Sequence, residues 1–469
     1  MNTKAKRTVD WNRQAVLLIH GIGEQRPMET LRRFAETVWS KDENLHRPHK
    51  AGAQMWSKPY SLSENFELRR LTTAENKAGL YTDFFELYWA HLMEGTKVSH
   101  VIAWARTLLL RPWRVPRHLW LAYVVLIVLI AVGVWMAYTF FSADEQLATK
   151  WWRAVASGVA LPAALAILTN IVGDAARYLH VAPPNVQCRH AIRAAGVSVL
   201  KELHDHGYGR IIVVGHSLGS VIGYDILTHA WTAFNAERPA DNVEFSDSAL
   251  TQLEELADKV EKARVAKQDA KVSDQEIQRA QRAYFDERCR TNGLTWRVSD
   301  FVTLGSPLAH ANLLLAASRS DMQRRVSDRE FPSCLPTLER TRKNHRDITG
   351  FTYPAGERTR VPHHAAVFGP TQWTNLYFPC WCVIWGDIVG GPLKGIFGAG
   401  VRDVKVRTWH WLGFFSHTLY WRMGRWSKQH IAELRNAVDL LDGRHKPETS
   451  STPVRNRAGG VEDALAKPA

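Results

Sequence analysis

The sequence predicts an α/β protein, a mostly parallel sheet with helices on both faces. Three observations carry that expectation. Short apolar runs, Gln14 to Ile19 and Ile211 to Val214 among them, have the length and character of buried strands. Helical patterns separate such runs, and that alternation is how parallel sheets are built. The stretch 211–227, IIVVGHSLGSVIGYDIL, leaves a strand through a glycine-flanked serine and continues at once as an amphipathic helix.

At 469 residues the chain exceeds one ordinary hydrophobic core, so one large domain with insertions, or two domains, is expected. Segments 1–105, 179–234 and 296–443 read as successive parts of the sheet domain. The strand Gln14 to Ile19 ends in His20-Gly21-Ile22-Gly23, and a helix follows from Glu29 to Trp39. Residues 41–79 read as polar and irregular, and FFELYWA at 84–90 as another strand. A helix ending near Tyr208 hands over to a strand from Arg210 to Val214, and the serine helix runs from Ser220 to Trp231. WRVSDFVTLGSPL, 296–308, is strand and turn. The apolar run 378–385, strand-like, ends at Asp387 on a loop with Gly386, Gly390 and Gly391. SKQHIAELRNAVDLL is a late helix striped by Ile431, Leu434, Val438 and Leu441. The segment 444–469, rich in Pro, Thr, Arg and Gly, has the composition of a disordered tail.

Two insertions interrupt this domain. Within 106–178, residues 119–141 (LWLAYVVLIVLIAVGVWMAYTFF) carry no charge and as a helix would span roughly 35 Å, enough for a bilayer's hydrocarbon core. Residues 154–173 form a second uncharged stretch, whose Pro162 a membrane helix tolerates. A transmembrane hairpin is expected, with Trp113, Trp120, Trp151, Trp152 and Tyr178 as interfacial anchors. Arg106, Arg111, Arg114 and Arg117 precede the first span, which by the positive-inside rule places the catalytic domain in the cytoplasm. The second insertion, 235–295, is dense in charge. Leu253, Leu256, Val260 and Ala263 recur at helical spacing with i,i+4 ion pairs, and Ser273 with Glu276 forms a capping box. A helical hairpin standing off the core is expected, with a protein partner at the 250–290 helices as a possible use.

The balance of 60 Lys+Arg against 46 Asp+Glu gives a net charge of +14. That favours an anionic membrane surface over nucleic acid, since no nucleic-acid-binding module is recognisable, with a simple solubility feature as the alternative. Five cysteines without a CxxC pair suit a reducing compartment. The first apolar run is about six residues, short of a signal-peptide core, so export by that route is not expected. The histidines lack a metal-ligand pattern such as HExxH, and no metal or other cofactor is expected.

Gly215-His216-Ser217-Leu218-Gly219 fits GxSxG in the strand-turn-helix context that the motif requires. A sharp turn there holds the Ser217 hydroxyl out at the strand's C-terminal end. A serine hydroxyl needs a base to take its proton and donors for the oxyanion that forms. The Leu218 amide is one candidate donor and the Ile22 amide, between Gly21 and Gly23, the other. Chain order in such enzymes runs serine, acid, histidine. Asp387 is the favoured acid, with Asp403 and Asp300 as rivals. His410, His417 and His430 all follow it, and His417 lies on a loop after Gly413-Phe414-Phe415-Ser416 that can swing an imidazole over the sheet edge.

HGIG, GHSLGSVIGYDIL and SHTLYW together resemble the α/β-hydrolase superfamily on its lipase and esterase side. The closest likeness is to the intracellular phosphatidic-acid-preferring phospholipases that carry a DDHD domain. The matching blocks cover about a quarter of the chain, and the uncharged pair at 119–173 lies outside that family's usual pattern. The resemblance implies that Ser217 is the acyl nucleophile, acting with Asp387 and His417. The expectation is therefore a membrane-anchored serine hydrolase cleaving acyl esters of lipids. A thioesterase with the same triad and a non-catalytic membrane scaffold are the alternatives.

Overall fold

The computed structural model describes residues 8–22, 26–46, 54–59, 69–93, 178–179, 183–236, 248–266, 268, 271–290, 296–343, 346–354, 360–380, 386–407, 416–423 and 428–442, with seven single positions between 112 and 131. Gly23 and His410 lie outside these residues, as does the segment 444–469.

Eight strands form one sheet. In chain order they are β1 (Asp10–Ile19), β2 (Met55–Pro59), β3 (Arg69–Thr73), β4 (Tyr81–Leu87), β5 (Tyr208–His216) and β6 (Val298–Leu304). Two hairpins outside the sheet follow, β7 (Glu339–Lys343) with β8 (Arg346–Gly350) and β9 (Thr352–Pro354) with β10 (Arg360–Pro362), and the sheet resumes with β11 (Gln372–Tyr377) and β12 (Arg402–Lys405). The order across the sheet is β12-β11-β6-β5-β1-β4-β3-β2. Every pairing from β12 to β4 is parallel; only β3 and β2 run antiparallel at one edge. The α/β architecture with a mostly parallel sheet is thus as the sequence predicts.

The central strands explain the apolar runs. All nine residues of β5 and all seven of β6 are buried, so both faces of the sheet are covered there. The covering helices are α1 (Glu29–Ala35) on β4, α2 (Pro183–Asp205) and α3 (Leu218–Ala236) on β5, and α7 (Gln429–Val438) on β6 and β11. Between α3 and α7 come α4 (Ser248–Val265), α5 (Asp274–Arg290) and α6 (Arg319–Ser327).

Several expectations change. Residues 41–79 are not irregular throughout, because β2 and β3 lie there. The described strand before Asp387 is β11, ending at Tyr377; of the apolar run 378–385, residues 378–380 are not strand and 381–385 lie outside the described residues. The 235–295 insertion does not stand off the core. Its helices α4 and α5 do pair, and the Ser273–Glu276 capping box forms, with Glu276 N–H donating to Ser273 Oγ at 3.2 Å. Yet Leu250, Leu253, Ile277, Tyr284 and Phe285 are buried, and α5 packs on β11. Of the stripe on α4, Leu253 and Leu256 are buried and Val260 and Ala263 half-buried, and α4 packs on β8. Tyr178 is no interfacial anchor: it is buried, and its hydroxyl donates to Asp225 at 2.7 Å on α3.

The spans 119–141 and 154–173 fall outside the described residues except at six positions of the first. Those six, Trp120, Tyr123, Val124, Ile127, Val128 and Ala131, are helical. Among the described residues no helix is long and apolar enough to cross a membrane. The nearest continuous described chain before and after this region, ending at Met93 and resuming in α2, is in contact. Cys188 Sγ lies 3.1 Å from Leu92 O and 2.9 Å from Met93 Sδ, so the insert departs and returns at one place.

Candidate active site

Strand β5 ends at His216, and Ser217 takes a left-handed backbone with φ +52°. A side-chain-bearing residue is strained in that region and persists there only where its surroundings hold it. Here the Ser217 N–H donates to Leu304 O at 2.9 Å, and α3 starts with the next residue. The flanking glycines permit this. A Cβ on Gly215 would stand 2.5 Å from Ser220 Cα, and one on Gly219 would stand 2.2 Å from Ile19 O. The first turn of α3 therefore presses directly on the end of β1.

That contact brings the loop after β1 over the serine. A Cβ on Gly21 would lie 2.9 Å from Ser217 Cβ, so the Gly21-Ile22 backbone passes beside the hydroxyl-bearing carbon. His20 holds the loop from below. Its Nδ1 donates to Gly21 O at 2.8 Å, its ring stacks on Trp89 at 5.0 Å, and the Trp89 indole donates to His20 O at 3.0 Å. Burial pushes His20 down to about 4, so the imidazole is neutral. The loop's far end is held by Glu86, whose Oε2 accepts Met28 N–H at 2.8 Å; burial raises this carboxyl to about 7.

Asp387 is buried on the loop after β11. Its Oδ2 is 2.9 Å from His417 Nδ1 and accepts the Tyr420 hydroxyl at 2.8 Å, while Oδ1 accepts Val389 N–H at 2.9 Å. Burial alone would raise its pKa. The His417 imidazole and these hydrogen bonds outweigh burial and hold the carboxyl below the usual range, hence ionised. Glycines let three loops converge on it. Gly305, at φ +57°, has room for no Cβ, which would lie 2.8 Å from Asp387 Oδ2 and 3.0 Å from His417 Nδ1. A Cβ on Gly390 would also lie 2.8 Å from Oδ2.

With Nδ1 committed to Asp387, His417 Nε2 is buried and has no hydrogen-bond partner among the described residues. It is the atom free to take a proton. The His417 ring lies 5.0 Å from that of His216, the residue before Ser217. No hydrogen bond yet joins Ser217 to His417, and such bonds commonly tighten only when substrate is bound.

The rivals are engaged elsewhere. Asp300 is buried in an ion pair with Arg210 at 2.6 Å, partway along β6. Asp403 accepts the Asn375 amide at 2.7 Å and the Leu393 and Lys394 N–H groups at 2.9 Å. His430 Nε2 donates to Arg422 O at 3.1 Å, beneath the turn that carries His417. Of the expected residues, the structure brings Ser217, Leu218, Gly21, Ile22, Gly215 and Gly219 to one end of the sheet, with Asp387 and His417 paired beside His216. Sequence reasoning missed Tyr420, Gly305 and Gly390 as neighbours of the carboxylate. Tyr420 stood in the SHTLYW block, and Gly390 was read only as a turn. Among the described residues no three His, Cys, Asp or Glu side chains are grouped to hold a metal.

A mostly parallel α/β sheet with a strained serine at the end of a central strand, beside a histidine paired with a buried aspartate, defines a class of architecture. Beyond that class the comparisons add nothing: no protein-family model, curated protein or solved structure matches the chain.

Proposed function

We propose that the protein is a serine hydrolase of the α/β-hydrolase type that cleaves acyl esters, its substrates being lipids of the bilayer. The observation that carries this reading is the 2.9 Å His417–Asp387 contact beside a left-handed Ser217. Ser217 Oγ attacks the ester carbonyl as its proton passes to His417 Nε2. The Leu218 and Ile22 amides receive the oxyanion. Collapse of the tetrahedral intermediate returns the proton to the departing alkoxide. Water, deprotonated by the same imidazole, then releases the acid from the acyl-serine. The serine, acid, histidine order along the chain supports the same assignment.

The membrane assignment draws on two further observations. Trp120, Val124, Ile127 and Val128 are exposed apolar side chains at spacings of one helical face. The root of the insert also abuts the oxyanion loop, since His20 stacks on Trp89 only four residues before Met93. A bilayer engaged by the insert would therefore lie near the site. Because β1 pairs with β5, the oxyanion loop and Ser217 share one compartment, and the insert crosses an even number of times. Residues 119–141 and 154–173 would then form a two-span hairpin with the catalytic domain in the cytoplasm.

Labelling by a fluorophosphonate probe tests the chemistry. Wild-type protein should be labelled and Ser217→Ala should not; an unlabelled wild type would favour a scaffold role. Paired ester and thioester substrates separate the lipase reading from a thioesterase. A cysteine at Ser142 that reacts only from the cytoplasmic side would refute the spanning hairpin.

A further inference from the structure

The residue before the nucleophile has its own task. His216 ends β5 almost fully buried, and its Nε2 lies 2.9 Å from the main-chain oxygen of His417. A carbonyl only accepts, so Nε2 carries the hydrogen. The ring is 5.0 Å from the His417 ring, 4.7 Å edge-on from Trp421 and 5.9 Å from Tyr420. Its other nitrogen, Nδ1, faces the Gly21 side, 3.1 Å from where a Cβ on that glycine would stand.

The His417 segment needs such a tether. Residues 416–423 form turns, with Leu419 N–H to Ser416 O and Arg422 N–H to Leu419 O, and take part in no sheet. Side chains from other elements hold them. Thr37 donates to Trp421 O at 2.8 Å and His430 to Arg422 O, while the segment's own Tyr420 donates to Asp387. Among the described residues, His216 is the group that grips the backbone of His417 itself, and it does so from the residue next to Ser217.

We infer that His216 is a positioning residue, which sets the distance between base and nucleophile by holding the His417 carbonyl. This inference rests on the hydrolase reading above. Neutrality belongs to the design. Burial and the neighbouring His417 push His216 down to about 3, so no second cation faces the imidazolium that forms during acylation. Misplacing a reacting group by an ångström costs on the order of a hundredfold in rate.

The test uses the full chain and compares His216→Phe with His216→Gln, whose amide nitrogen reaches where Nε2 stood. His216→Phe should lower kcat about 10- to 100-fold with KM within about threefold, and His216→Gln should recover to within about threefold of wild type. Wild-type kcat in His216→Phe, or a His216→Gln as slow as His216→Phe, would overturn the inference. Should the phenylalanine variant not fold, His216→Asn replaces it, its shorter amide falling short of the carbonyl; equal kcat in the Asn and Gln variants is then the overturning result. Failure of the underlying reading is separate: wild-type protein would not label with fluorophosphonate, or Ser217→Ala would keep full activity.

Discussion

His417 Nδ1 and Asp387 Oδ2 meet at 2.9 Å across thirty residues of chain, and that contact leaves His417 Nε2 as the buried nitrogen without a partner. Among the described residues, the two segments that form the pair share no helix or strand. Its geometry therefore depends on everything packed around it, and the consequences are open to measurement.

Replacing either Ser217 or His417 by alanine should remove ester hydrolysis to a similar degree, and the double variant should lose little more, because the members of such a unit act together. His430→Ala removes a donor to Arg422 O and a buried ring packed on Phe378, neither at the Asp387–His417 pair, and should cost much less in kcat. Steady-state kinetics on the four variants against wild type decides. A His417→Ala enzyme with near-normal kcat would move the base elsewhere.

Tyr420→Phe removes a hydrogen bond to Asp387 Oδ2 and leaves the Phe378 N–H without its acceptor. A loss of about 1–2 kcal/mol in urea denaturation is expected for those bonds. Asp387 should also become easier to protonate, since Tyr420 helps hold it low. A nuclear magnetic resonance titration of the carboxyl, compared between the two proteins, reads that shift.

Gly305→Ala would place a methyl group 2.8 Å from Asp387 Oδ2 and 2.7 Å from Tyr420 Cε2, at a backbone φ that alanine avoids. Activity should fall steeply, with a stability cost of about 1 kcal/mol or more from the backbone alone. Gly395→Ala is the control, because an added Cβ there meets nothing within 4 Å. Equal activities in the two variants would show that the loops tolerate displacement.

Glu86 makes stability depend on pH in a direction set by its raised value. Its folded pKa is about 7 against an ordinary 4.5, so between those values the folded state holds a proton that the unfolded state has lost. Stability should therefore fall as pH rises from about 4.5 to about 7, by on the order of 3 kcal/mol for this group, and then level. Glu86→Gln should abolish that contribution. Denaturation midpoints of both proteins across pH 5 to 8, taken as a difference, check the sign. The neutral histidines His20 and His216 act oppositely, removing stability as pH falls below about 6.5 toward about 4 and about 3.

The strand-serine-helix unit was legible because its causes are local. Four β-branched residues, two glycines at fixed offsets and an amphipathic run determine that Ser217 sits at a sharp turn, whatever else the chain does. The parallel sheet followed from the same short-range periodicity, as did the capping box at Ser273. Strands β2 and β3 are not legible in the sequence because they carry no apolar run; Met55–Pro59 has no buried residue, and β3 buries only Leu71 and Thr73. The fate of α4 and α5 was equally hidden, since an amphipathic helix shows that one face will be covered and not by what.

What only the tertiary structure decided is which distant side chains meet. Among the described residues, Asp300, Asp387 and Asp403 are all buried or hydrogen-bonded carboxylates, and His417 and His430 both lie on or beside one late segment. Sequence order ranks none of these pairings. The choice falls to Asp387 and His417 because glycines at 305 and 390 leave space for two loops to converge, while Arg210 and Asn375 occupy the rival carboxylates. Local propensity acts over a turn or two of chain; the closeness of two loops is fixed by packing across the whole sheet.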